Sequence, residues 1–378
     1  MPRVTPGRSP HPVRGTTRRR VLACLALPAA LAAAGCGPSP VDMVEHPVVT
    51  TPSRAAGHDL QRAAEPEESC APAPAAPEAG TSGTRSVRPG AVAGGPAPRR
   101  VDVPADPARV LALGSGAVDA ACLLGLQHTV VATGPLDGPA AWLPEPLVSL
   151  PRVDTADAGA VPAAARAHRP DLVLLPASAD RDGLAARLAD VAPTVVYDDD
   201  PRHWTDAVTT LTDALGRPRA GERALLGFYG QVDSVVGSTT PRDTEVSVVD
   251  LGDDQGHAPR VLDPRSLGVT VLEAVGARRP PAQTVRDGRA VPAPDSRPSS
   301  ADEFSGDVVL GVLGDCPGCE AAARRTLESP RWTALPALRD SRFFVVDAGV
   351  WRDGDGLVAA RAVLGDVEKT INAKAAEG

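Results

Sequence analysis

The sequence is poor in aromatic side chains, which make up 3% of its 378 residues. It is also nearly without lysine: Lys369 and Lys374 are the only two, so its basic charge is almost wholly arginine. That bias makes a single arginine a weak pointer to an anion site. A Trp or Tyr on a loop is correspondingly more informative. There is no Gly-x-Ser-x-Gly, no His-Glu-x-x-His and no Walker loop, so no nucleophile–base pair can be named. Residues 21–34 are apolar apart from Pro28, but they fall short of the roughly 20 residues a membrane-crossing helix takes.

What basic charge there is lies unevenly. Arg3, Arg8, Arg14, Arg18, Arg19 and Arg20 precede the apolar run, and no acid occurs before it. The formal charge of −8 becomes −14 once these six arginines are set aside. A body so acidic argues against a general affinity for nucleic acid or anionic lipid. The order of positive, apolar and small residues is that of a signal peptide, here residues 1–35. Thr17-Arg18-Arg19-Arg20-Val21-Leu22 resembles a twin-arginine export signal, with the Sec route as the alternative. Ala33-Ala34-Gly35-Cys36 looks like a lipobox, which makes Cys36 the expected lipidation site and places the protein on the outer face of a membrane.

Residues 36–100 show no sustained period of 2 or 3.6, and eleven of the thirty residues 71–100 are Pro or Gly. Such a stretch buries too little apolar surface to offset its ordering entropy. It reads as a tether with a reach of about 40–50 Å. Beyond it, short apolar runs alternate with helical patterns, which predicts a mostly parallel sheet covered on both faces. Strands are expected over 109–113, 130–132, 171–175 and 194–197, with helices between them. Two helical stretches follow without a strand: 204–215 and 219–236. In the second, Leu225, Phe228, Tyr229, Val232, Val235 and Val236 recur at helical spacing. Strand and helix signals then resume. The division predicted is a first α/β lobe (101–218), a linking helix (219–238) and a second α/β lobe (239–378).

Several of these segments resemble iron–siderophore ABC-transporter binding proteins, most of all the ferric-dicitrate-type binding lipoproteins. They are Arg109-Val-Leu-Ala-Leu with Asp119-Ala-Ala-Cys-Leu-Leu-Gly-Leu126, then Arg169-Pro-Asp-Leu-Val-Leu-Leu175 and Val191-Ala-Pro-Thr-Val-Val196. Val271-Leu-Glu-Ala-Val-Gly276 and the stretch from Pro330-Arg-Trp332 to Gly356-Leu-Val-Ala-Ala-Arg361 continue the likeness. The resemblance implies two α/β lobes with mostly parallel sheets, joined by one long helix, with the ligand cleft between them. It implies capture of a ferric siderophore, haem or a related metal complex and its delivery to an ABC permease. It implies no resident cofactor and no catalysis. Family members carry a glutamate on each lobe for permease docking. Here Ala163 stands at the first position, and Glu303 is the candidate for the second.

In open α/β lobes, ligands sit beyond the carboxyl ends of the strands. The first-lobe loops so placed offer Ser115 and Gly116, Gly134, Ser178, and the Asp198-Asp199-Asp200 run before Trp204. Ser115 is expected to N-cap a helix whose amides would face an anion. The second lobe offers His257, Arg260, Arg265, Trp351 and Arg352. An indole and a guanidinium side by side suit a flat, anionic chelate. His257 could ligate haem iron, though a solvated loop histidine is the plainer account. The aspartate run is likewise more simply a loop turn than a hard-cation site. Cys70, Cys122, Cys316 and Cys319 remain in the exported chain. Outside the cytoplasm they favour disulfides, with three full pairings open. Two other readings stand beside transport: an envelope scaffold that no longer serves a permease, and a surface-anchored enzyme.

Overall fold

The computed structural model describes residues 49–51, 53–54, 63–65, 69–78, 82–90, 99–136, 138, 140–252, 258–286, 289–290 and 301–375. All belong to one unit, residues 41–378. The expected signal peptide, Cys36 and His257 lie outside the described residues.

The first lobe is a four-stranded parallel sheet. Its spatial order is Val130–Thr133, Val110–Ala112, Leu172–Pro176, Thr194–Tyr197. Every residue of Val110–Ala112 and of Leu172–Pro176 is buried, as unbroken apolar runs predict for strands covered on both faces. The chain leaves the Val110–Ala112 strand to one side and next returns on its other side. The carboxyl ends of Val110–Ala112 and Leu172–Pro176 therefore flank a topological switch point, where such sheets open a crevice. The second lobe has the order Arg260–Val261, Val246–Asp250, Val308–Leu313, Phe343–Asp347, Ser53–Arg54. Its middle three strands are parallel and its two edges antiparallel.

The linking helix runs Pro218–Ser238, 21 residues or about 31 Å. Proline at its first position supplies a helical φ and lacks an N–H that would have no partner there. Its buried stripe is Ala220, Ala224, Phe228, Val232 and Val235. That stripe packs on Trp204–Ala214 of the first lobe and on the last helix, Leu357–Ala375. The last helix in turn touches Ser115–Leu123 and Leu267–Ala274, so it joins both lobes. One apolar core runs through these helices from lobe to lobe, and separate cores line each lobe's outer face. No helix among the described residues is long and apolar enough to cross a membrane.

The predicted tether needs correcting at its far end. Cys70 is disulfide-bonded to Cys122 in the Ser115–Leu123 helix. The amides of Ala71 and Ala75 donate to the carbonyls of Cys122 and Leu124, and Arg217 Nε donates to the Ala75 carbonyl. Thr84–Val87 forms a two-stranded ladder with Val101–Pro104. Ser53–Arg54 is an edge strand of the second lobe. Proline and glycine content reports what a segment can bury by itself. Here the ordering is supported by a covalent bond and by backbone partners on the lobe.

Candidate functional site

The Ser115–Leu123 helix starts one residue earlier than expected. Gly114 takes the N-cap position at φ 117°, and Ser115 is the first helical residue, with no side-chain cap. Gly114 needs its freedom twice over: the φ is left-handed, and a Cβ there would run into the Tyr197 hydroxyl and Pro176. This turn brings Gly114 and Ser115 to the mouth of the switch-point crevice. A cavity of about 350 Å³ opens there. Ser115, Ser178, Tyr197 and Asp199 line it from the first lobe, and Arg352, Asp353 and Asp355 from the second. A second cavity of about 570 Å³ shares Ser178, Asp199 and Arg352 with the first and adds Asp198, Asp200, Asp263 and Arg265. The two make one cleft between the lobes.

Most of the charged groups of this cleft are paired with one another. Arg352 donates through Nε and Nη2 to both carboxylate oxygens of Asp353, at 2.7 and 2.8 Å. Its Nη1 lies 3.7 Å from buried Asp250. Asp353 holds the Arg352 guanidinium above its usual range. Arg265 grips Asp263 in the same two-pronged way, at 3.1 and 2.7 Å, and lowers that carboxyl. Hydrogen bonds from Arg202 lower Asp200 to about 2. His203 Nδ1 is 2.8 Å from Asp198. Asp199 accepts the Ser178 amide at 3.0 Å.

Behind the cleft, each lobe sends a carboxylate to the start of the other lobe's helix. Asp355 packs so closely on Gly116 that a Cβ there would meet its carboxylate. Conversely, Asp119 accepts the amides of Val358 and Ala359, both at 3.1 Å, at the start of the last helix. Trp142 Nε1 also donates to Asp119, at 3.0 Å. Negative charge is favoured at a helix start, and these amides have no partner within the helix. Burial nevertheless pushes the Asp119 carboxyl up to about 7, against these hydrogen bonds and the nearby Arg361.

Several sequence expectations are corrected by these positions. Trp351 does not face the cleft: it is fully buried, and its Nε1 donates to Asp366 at 2.9 Å. Trp204 is buried as well, edge-on to Phe228 at 5.2 Å, and helps seat the linking helix. In so aromatic-poor a chain the core claims the large rings first, because they bury the most apolar area. At the first turn of the Ser115–Leu123 helix, Asp355 lies against Gly116. Gly134 is packed tightly, with a Cβ there coming within 3.1 Å of Leu113 Cα. Arg260 pairs with Asp250 at 3.0 Å and lines neither cavity. Ser115, Ser178, Arg265 and Arg352 do meet in the cleft. Glu303 sits half-buried in the short Ala301–Phe304 turn, its carbonyl accepting from Gln283. Cys316 and Cys319 are disulfide-bonded to each other. Among the described residues, no group of three or more His, Cys, Asp or Glu is placed to hold a metal ion.

Tyr197 and Asp119 are not among the site residues that the sequence singles out. Tyr197 had a usable signal: it is one of two tyrosines and ends a strand just before the named aspartate loop. Asp119 had none for this role, because the helix start it completes lies some 240 positions away.

No curated protein matches the sequence. Solved structures do match the fold. SirA of Staphylococcus aureus, solved with staphyloferrin B, is 20% identical with a TM-score of 0.60, over 76% of this chain and 99% of its own. The siderophore periplasmic binding protein from the fuscachelin gene cluster of Thermobifida fusca is 22% identical with a TM-score of 0.56, over 72% and 98%. VctP, the periplasmic catecholate-siderophore binding protein of Vibrio cholerae, is 18% identical with a TM-score of 0.53, over 76% and 100%. Residues 110–349 match the periplasmic binding protein family model. That match takes in well over half of the chain, including the linking helix and strands of both lobes, so the chain belongs to the periplasmic binding protein family, a family of binding proteins and not of enzymes.

Proposed function

We propose that this protein captures a ferric siderophore outside the cytoplasm and passes it to an ABC permease while anchored by lipid at Cys36. The observation that carries the reading is the inter-lobe cleft at the switch point, in a fold shared with SirA, VctP and the Thermobifida protein. Among the described residues, the cleft's arginines are paired with aspartates, which suits capture without turnover. Titrating the ligand-free exported protein with ferric hydroxamate, catecholate and carboxylate siderophores and with haem tests it. Saturable binding of at least one iron complex, with the complex recovered unchanged, is expected. Binding of none would sink the transport reading and favour a scaffold.

The scaffold reading keeps one specific support. Ala163, where a docking glutamate is expected, is exposed on the Val161–Ala167 helix and offers no charge to a permease. Iron uptake by cells lacking the chromosomal copy separates the two. Restoration by the plasmid-borne wild type supports delivery, and binding without restored uptake supports the scaffold.

A further inference from the structure

The cleft's own charges select among iron chelates, an inference that rests on the siderophore reading above. An anionic chelate is held by cations or amides with no prior partner. The two guanidiniums that line the cleft's two cavities already have carboxylate partners. Arg352 is held by Asp353, with Asp250 behind it. Arg265 is held by Asp263. The first turn of the Ser115–Leu123 helix has Asp355 against Gly116. An anion entering the cleft meets guanidiniums whose charge these carboxylates already offset.

Carboxylates are also in excess. The described lining of the two cavities holds six of them, Asp198, Asp199, Asp200, Asp263, Asp353 and Asp355, against two guanidiniums, Arg265 and Arg352. Arg202 and His203 answer Asp200 and Asp198. Asp199 lines both cavities, and the hydrogen bond to it comes from a neutral amide. Low-dielectric walls around a cleft of one sign concentrate its field on whatever enters.

We propose that the cleft takes a neutral or cationic ferric chelate, of the trihydroxamate class with or without a free ammonium. Ferric chelates of net negative charge, tris-catecholates and α-hydroxycarboxylates, are disfavoured. Three hydroxamates cancel the charge of ferric iron, and a pendant ammonium adds one positive charge, for which Asp199 is the cleft's available partner. This reverses the anionic ligand expected from Trp351 and Arg352.

The test titrates the ligand-free protein with four ferric complexes: an ammonium-bearing linear trihydroxamate, its N-acetylated neutral counterpart, a tris-catecholate and a citrate-type carboxylate. Both hydroxamates should bind at least tenfold more tightly than either anion. The ammonium form should lead its acetylated twin at low salt, with the gap narrowing as salt screens the cleft. Asp199→Asn should abolish that lead, so that the two hydroxamates bind alike, whereas a purely structural loss would weaken both and keep the lead. An anionic chelate binding as tightly as the hydroxamates would overturn the charge assignment and leave the siderophore reading standing. Binding of none of the four would end both.

Discussion

At the scale of single residues, Asp119 and Gly116 carry the most exposed predictions. Asp119 titrates near 7 when folded and near 4 when unfolded. Between those values the folded chain holds a proton that the unfolded chain has released. The stability contributed by Asp119 is therefore greatest below about pH 4, falls as pH rises to about 7, and is level above that. Urea unfolding of wild type and Asp119→Asn across this range isolates the term. The wild-type advantage should shrink with rising pH; an advantage that grows would contradict the buried, proton-retaining carboxyl. Gly116 makes a second test. Glycine to alanine inside a helix usually gains about 0.5–1 kcal/mol. Here the new methyl would meet the Asp355 carboxylate, so Gly116→Ala should lower the unfolding midpoint and loosen the cleft loop that Asp355 ends.

At the scale of elements, the linking helix separates its glycines by what surrounds them. Gly227 and Gly230 have nothing within 4 Å of a would-be Cβ, while at Gly221 the Thr212 side chain stands in the way. Gly227→Ala and Gly230→Ala should each raise stability by about 0.5–1 kcal/mol. Gly221→Ala should lower it, because it pushes the linking helix off Trp204–Ala214. Thermal melts of the three variants suffice, and a gain at Gly221 would mean that this packing is looser than described. The Cys70–Cys122 bond closes a separation of 52 residues, which corresponds to about 4 kcal/mol of unfolded-chain entropy on the loop-closure account. Cys70→Ser with Cys122→Ser should destabilise the first lobe by about 2–4 kcal/mol. Proteolysis should then cut preferentially within residues 69–78.

At the scale of the molecule, one core shared by the linking helix, the last helix and Ser115–Leu123 makes the two lobes a single packed body. Interiors at crystal-like density resist shear, so a shared core permits little relative motion. Small-angle scattering should therefore give the same radius of gyration, within error, with and without bound chelate; a contraction of several ångströms would contradict it. Membrane attachment belongs to the whole chain as well. Cys36→Ser should move the exported protein from the membrane fraction to the soluble one, and retention in the membrane would rule out the lipobox.

Sequence by itself determined the architecture. The strand runs, the uninterrupted pair of helical stretches and the apolar spacing through Phe228 and Val232 are local patterns. Each depends on residues a few positions apart, and local sterics and burial settle them. The same logic put Ser115, Ser178 and the aspartate loop at the carboxyl ends of strands, and so at the cleft. Which named residues face a ligand was a different matter. Trp351 looked like a loop aromatic, yet its neighbours are Gly268 and Asp366 in packed helices. Arg352 looked like a free cation, yet Asp250, a hundred positions earlier, stands beside it. Asp119 and Asp355 each complete a helix start in the opposite lobe, and Cys70 ties the supposed tether to the body. These pairings join segments far apart in the chain. Folding of each lobe brings Trp351, Arg352 and Cys70 to their partners, and only the docking of one lobe on the other brings Asp119 and Asp355 to theirs.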